Sequence, residues 1–228
     1  MSPATRILCL VASLLLPGCA TATADGGAPA ERPAVEAPSG QPLAPPAPAG
    51  MSVAIFAGGC FWCMEGPFES MDGVVEVLSG YSGGSEKNPT YGAVSRGRTS
   101  HQESVRVVYD ATKVTYAALL ERYWRSVDPT DGGGQFADRG TQYQPVIFYG
   151  SEPERIAAEA SKAALAASSR FEKPIEVEIR PAGDFWVAEE YHQDYYRKNA
   201  MQYLGYRRMS GRSGFLARVW GSDIGLAH

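Results

Sequence analysis

The chain has 228 residues, 44% of them hydrophobic and 11% aromatic, with a formal net charge of −4. That supports one ordinary globular domain with extensions. With no basic run, it does not favour nucleic acid as a partner. Two of the four cysteines fall within the first 19 residues, leaving Cys60 and Cys63, too few for a disulfide-stapled scaffold.

Ile7–Leu16 is an apolar run of ten residues broken only by Ser13, and one cation, Arg6, precedes it. The run is too short to span a bilayer and has the shape of a secretory signal. It ends in Leu16-Pro17-Gly18-Cys19, which resembles the lipobox of bacterial lipoproteins. Residues 1–19 are therefore expected to be a signal segment, with Cys19 as a lipidation site. The other reading is a simple cleaved signal. Both readings export the protein, to the periplasm or the cell exterior, and the first anchors it to a membrane. Ala20–Gly50 holds seven prolines and ten alanines and no aromatic residue. It cannot bury enough apolar surface to fold and reads as a disordered, semi-extended linker. One domain is expected over 51–228.

Ser52–Ala57 is a short apolar run with β-rich composition. Gly58 and Gly59 allow a tight turn. Apolar residues at Phe61, Met64, Phe68 and Met71 then have a helical period, which predicts a helix over about Cys60–Ser70. Asp72-Gly73 turns into a second strand, Val74–Leu78, ending at Gly80-Tyr81. Ser82–Ser100 is a long polar loop of the kind that usually serves function. A third strand, Ser104–Tyr109, is entered through His101-Gln102-Glu103. Thr115 caps a helix with Tyr116, Leu119, Leu120, Tyr123 and Trp124 on one face. Asp128-Pro129 stops it, Gly132–Thr141 is a glycine-rich loop, and Pro145–Tyr149 is a fourth strand.

The order βαββαβ is the ferredoxin-like pattern, so the expected class is α+β, a ferredoxin-like α/β sandwich. An alanine-rich helix over Ser151–Arg170 follows, with Ser151 and Glu154 spaced as a capping box. A strand is expected at Ile175–Pro181. From Asp184 onward the expectation is a long C-terminal coil with one short helix near Ala188–Asn199.

The chemistry gathers at Gly59-Cys60-Phe61-Trp62-Cys63. At a helix N-terminus the positive end of the backbone dipole favours a thiolate, and such a position can lower a thiol from about 8.5 to roughly 3.5–7.5. Cys63 at i+3 lies on the same side of the helix, within reach of a disulfide. The pair reads as a nucleophile with its own resolving thiol. A zinc site would need two more ligands, and only His101, His192 and His228 are available, none paired at ligand spacing. Haem attachment would need histidine where Met64 stands.

Further blocks accompany this motif: Ser79–Gly84, Asn88-Pro89-Thr90-Tyr91, His101–Val105, Asp138–Tyr143 and Glu190–Tyr195. With Gly59–Trp62 they resemble the peptide methionine sulfoxide reductase A family, over nearly all of Val53–Tyr203. The resemblance implies that Cys60 attacks the sulfoxide sulfur. Phe61 and Trp62 would form the apolar pocket for the substrate methyl. Glu103 would protonate the sulfoxide oxygen, Tyr81 and Tyr143 would donate hydrogen bonds to it, and Asp138 would help order the site. The implied substrate is the S epimer of methionine sulfoxide, free or in oxidised proteins. Cys60 would become a sulfenic acid and condense with a thiol to a disulfide, which a thioredoxin-like donor reduces. No metal or organic cofactor is implied, and a monomer is expected.

Glu103 ordinarily titrates near ~4.3. Burial beside Phe61, Trp62, Tyr81 and Tyr143 would raise it, and roughly 6–7 would suit a general acid. His192 reads as structural or as a support for the site. Two departures from the family stand out. Many members carry glycine where this chain has Cys63 and keep recycling cysteines near the C-terminus, but no cysteine follows Cys63 here. Cys63, or an outside thiol, must then resolve Cys60. The second departure is Phe136-Ala137, where glycine and asparagine are commoner. Two other functions fit parts of the sequence. A CxxC at a strand–helix turn suits a thioredoxin-like disulfide oxidoreductase, and an aromatic surface suits a non-catalytic binding lipoprotein.

Overall fold

The computed structural model describes residues 41–221. Cys19, the signal segment, residues 20–40 of the linker and His228 lie outside the described residues. The elements are β1 (Ser52–Ala57), α1 (Trp62–Glu69), β2 (Val74–Ser82), α2 (Tyr91–Val94), β3 (Gln102–Tyr109) and α3 (Tyr116–Trp124). A two-strand ribbon follows, β4 (Gly134–Gln135) and β5 (Asp138–Arg139), then β6 (Val146–Tyr149), α4 (Glu152–Ala167) and β7 (Glu178–Pro181). The chain closes with β8 (Phe185–Val187), α5 (Tyr195–Lys198), α6 (Ala200–Met209) and α7 (Arg212–Trp220).

The main sheet has the order β7-β6-β1-β3-β2-β8. Its four central strands, β6-β1-β3-β2, pair antiparallel throughout, as a βαββαβ chain with helical crossovers must. The α+β, ferredoxin-like class therefore holds. β7 extends the sheet parallel to β6, and β8 extends it antiparallel to β2.

Alternation along the strands sorts two layers. Ala54 and Phe56 of β1 and Val105 and Val107 of β3 face the core under α1 and α3, where Phe56 stacks on Phe68 and Tyr123. Glu103 has the same parity as Val105, so it points to the helix side. Ile55, Ala57, Val146, Phe148 and Phe185 form a second cluster.

Two predicted caps are present. Thr115 Oγ1 accepts from the Ala118 amide, and Ser151 Oγ accepts from the Glu154 amide.

Two stretches differ from expectation. The part of the linker that is described, from Gln41, is joined to the sheet edge. The Ala44 amide donates to Phe185 O and the Val187 amide donates to Pro42 O, each at 2.9 Å. Arg106 Nη2 donates to Pro45 O at 2.9 Å. An edge strand presents unpaired backbone groups, and a proline-rich segment can still offer its carbonyls.

The stretch from Asp184 has the short helix expected near Ala188–Asn199, as α5, but the rest of it is not coil. It holds β8 and three helices. α6 buries Tyr203 and Arg207 while exposing Met201, Leu204 and Met209, and α7 buries Arg212, Leu216 and Trp220. Arginines hold inward positions on both helices, so the apolar period that would announce them is missing.

Candidate active site

The turn after β1 is clamped from three sides. Tyr123 Oη donates to Ala57 O at 2.9 Å. Arg212 Nη2 donates to Gly58 O at 2.8 Å. Gly59 has φ +81°, and a Cβ there would meet Gln135 Cβ at 2.5 Å, so only glycine fits. Cys60 and Phe61 lie in this turn, ahead of α1. The Phe61 amide, at the helix N-cap, donates to Glu103 Oε2 at 3.2 Å.

Glu103 is 2% exposed. Burial lifts its carboxyl to about 8 against the pull of the Phe61 amide, and the charges of Asp138 and Cys63 add to the rise. At neutral pH it is an acid with a proton to give.

The thiols correct the expectation for Cys60. Its sulfur precedes the helix, and the N-cap amide serves Glu103 instead. Burial first, then the hydrogen bond and charge of Cys63, and the charges of Glu103 and Asp138, push the Cys60 thiol well above its ordinary value. Cys63 is the thiol that falls, to about 7. The hydrogen bond with Cys60 lowers it most, burial opposes, and the Arg212 and Arg207 charges lower it further.

A cavity of about 110 Å³ opens onto Cys60, Phe61, Trp62 and Glu103, with Asp138 and Tyr143 across from them and Tyr91 and Tyr206 completing the wall. The Trp62 indole stacks on Tyr195 at 3.7 Å, and its Nε1 donates to His192 Nδ1 at 3.1 Å. Burial lowers His192 to about 4, so its ring is neutral and supports the aromatic wall. Among the described residues neither the Tyr91 nor the Tyr143 hydroxyl has a hydrogen-bond partner. Burial raises Tyr91 to about 12 and Tyr143 further, so both are neutral donors. Tyr206 Oη donates to Asp138 Oδ2 and fixes that carboxylate. His101 is buried, and its ring ties Gly84 N to Glu86 O, which holds the loop before β3. Among the described residues no group of three or more His, Cys, Asp or Glu could hold a metal ion.

The profile of the family described as peptide methionine sulfoxide reductase matches residues 52–224. A peptide methionine sulfoxide reductase of Listeria innocua is 52% identical over 167 residues, covering 73% of this chain and 94% of its own. One of Bacillus licheniformis is 50% identical over 169 residues, covering 74% and 93%.

The chain belongs to the peptide methionine sulfoxide reductase family.

Among solved structures, reduced Mxr1 of Saccharomyces cerevisiae is similar with TM-score 0.63 and 31% identity, covering 67% of this chain and 88% of that one. Methionine sulfoxide reductase A of Corynebacterium diphtheriae is similar with TM-score 0.60 and 36% identity, covering 67% and 77%. Membership sets aside the disulfide oxidoreductase and the non-catalytic binding protein.

For a sulfoxide reductase, the cavity gathers Cys60, Phe61, Trp62, Glu103, Asp138 and Tyr143 of the residues singled out in the sequence. Tyr81 is not among them. It is fully buried under α1, and its hydroxyl donates to Glu189 Oε2 at 2.7 Å. Glu189 Oε1 in turn accepts the Tyr91 amide at 2.9 Å. Tyr81 is thus a positioning residue behind Tyr91, and Tyr91 is the phenol that reaches the cavity. The signal for it was the Asn88-Pro89-Thr90-Tyr91 block. Tyr206 had no comparable signal, because it sits in the stretch expected as coil.

This geometry separates the two tyrosines by experiment. Tyr91→Phe removes a donor that lines the cavity beside Cys60 and Glu103 and should slow methionine release on the order of 10²-fold. Tyr81→Phe removes one internal hydrogen bond, worth about 1 kcal/mol of stability, and should slow release far less. Single-turnover methionine release from both variants, with thermal melts, decides; equal slowing would refute the assignment.

Proposed function

We propose that this cavity reduces the S epimer of methionine sulfoxide, free and in oxidised proteins, by attack of Cys60 on the sulfoxide sulfur. The observation that carries the reading is a neutral Glu103 carboxyl lining the same cavity as Cys60 and two unpartnered phenols. The sulfoxide oxygen is a poor leaving group until it is protonated. Glu103 gives it a proton while Tyr91 and Tyr143 hydrogen-bond it. The Cys60 thiol proton passes to the Glu103 carboxylate as the sulfur–sulfur contact forms. The hydroxyl then moves to Cys60, releasing methionine and leaving a sulfenic acid. Phe61 and Trp62 pack against the methyl group and keep water away from it.

Cys63 is the resolving thiol in this reading. Its thiolate attacks the Cys60 sulfenic sulfur, the S–O bond breaks, and hydroxide leaves as water after taking a proton. A thioredoxin-like dithiol then exchanges with the Cys60–Cys63 disulfide and restores both thiols. Support comes from the i+3 spacing and from the two being the free cysteines of the described residues. Export, with lipidation of Cys19, belongs to the same proposal. Its support is the apolar run and the Leu16–Cys19 box.

Three outcomes are expected. Glu103→Gln should slow the chemical step by about 10²–10⁴. The carboxyl is protonated below about 8, so the wild-type rate should fall as pH rises through that value and the variant's should not. An unchanged rate and pH profile would remove Glu103 from the mechanism. Cys63→Ser should release one equivalent of methionine, then stall as a sulfenic acid in the presence of thioredoxin; full turnover would show another resolver. Detergent-phase partition should be lost in Cys19→Ser, and equal partition of both proteins would rule the anchor out.

A further inference from the structure

Resolution through Cys63 needs a thiolate in a place with almost no water. Cys63 is 1% exposed. A buried anion is costly without a counter-charge beside it. The C-terminal helices bring two such charges. Arg207 on α6 is 5% exposed and Arg212 at the start of α7 is 1% exposed.

Their partners are all neutral. Arg212 donates to Gly58 O at 2.8 Å, to Ser126 O at 2.6 Å and to Met64 Sδ at 3.9 Å. Arg207 donates to Ser213 Oγ at 3.3 Å, and its Nε is buried without a partner. A Cβ at Gly59 would meet Arg212 Nη2 at 2.9 Å, so this guanidinium lies against the turn that carries Cys60, and its contact with Met64 Sδ puts it beside the first turn of α1, where Cys63 stands. Among the described residues neither cation has a carboxylate partner, and both lie near enough for their charge to act on Cys63.

We propose that Arg207 and Arg212 are the counter-charges that hold Cys63 as a thiolate, and that α6 and α7 thereby supply charge for resolution where they carry no cysteine. The proposal rests on Cys63 being the resolving thiol.

The other titratable groups facing Cys63 are Cys60, Glu103, Asp138, Tyr203 and Tyr206. Cys60 lowers the Cys63 thiol through their hydrogen bond, and Asp138 opposes. Glu103 is neutral at working pH, and burial keeps both phenols neutral. The arginines are therefore the positive charges in the set. In the step itself the Cys63 thiolate forms the S–S bond with Cys60–SOH. The S–O bond breaks, and hydroxide with one proton leaves as water. The sulfenic sulfur is reduced and the Cys63 sulfur oxidised, and the arginines neither gain nor lose a proton.

The test titrates Cys63 by its ¹³Cβ shift in full-length protein with labelled cysteine, assigned against Cys63→Ser. Arg207→Met should raise the Cys63 midpoint by about one pH unit or more, and Arg207→Lys should return it toward the wild-type value. Arg212→Met should act in the same direction. If loss of its carbonyl clamp unfolds that variant, the Arg207 pair carries the test alone. The pH midpoint of disulfide formation after one equivalent of sulfoxide should move with the titration. A Cys63 midpoint unchanged in Arg207→Met would overturn the proposal. A wild type that forms no Cys60–Cys63 disulfide would overturn the resolving role instead, and the titration would still read the counter-charge.

Discussion

Glu103 is buried, no basic side chain among the described residues stands against it, and the amide of Phe61 donates to its carboxyl. The rest of the site depends on that arrangement. A carboxylate there would be an unpaired buried charge, so the group keeps its proton. The sheet brings this about by register. Ala57 of β1 pairs with Ser104 of β3, so the chain leaving β1 turns directly over Glu103. The same turn carries Cys60. Glu103 and Cys60 are therefore placed together by one strand pairing and one hydrogen bond.

Charge is divided across the two thiols. On the Cys60 side stand Glu103 and Asp138, and both push that thiol up. On the Cys63 side stand Arg212 and Arg207, and both pull that thiol down. This division suits the two-stage reaction proposed above, in which Cys60 reacts together with proton transfer to the substrate and Cys63 reacts later as an anion.

The C-terminal stretch makes much of this possible. It supplies Tyr195 and His192 behind Trp62, Glu189 between Tyr81 and Tyr91, Tyr206 on Asp138, and Arg212 on Gly58. Each contact joins residues 68 to 154 positions apart in sequence. A site assembled this way exists only when the last helices are docked on the first.

The sequence by itself determined the βαββαβ core, the caps at Thr115 and Ser151, and the residues Cys60, Phe61, Trp62, Glu103, Asp138 and Tyr143 of the cavity. Period, turn chemistry and motif order are local properties of the chain, and they survive without knowledge of its neighbours. Only the tertiary structure decided that Tyr91 and not Tyr81 faces the cavity, because two tyrosines ten residues apart differ only in what packs over them. It decided that the Cys63 thiol is lowered, first through its hydrogen bond with Cys60 and then by the charges of Arg212 and Arg207 from the last helices. It also decided that the tail is helical. Arg207 and Arg212 point inward there, and an inward arginine has no signature in a pattern that looks for apolar side chains.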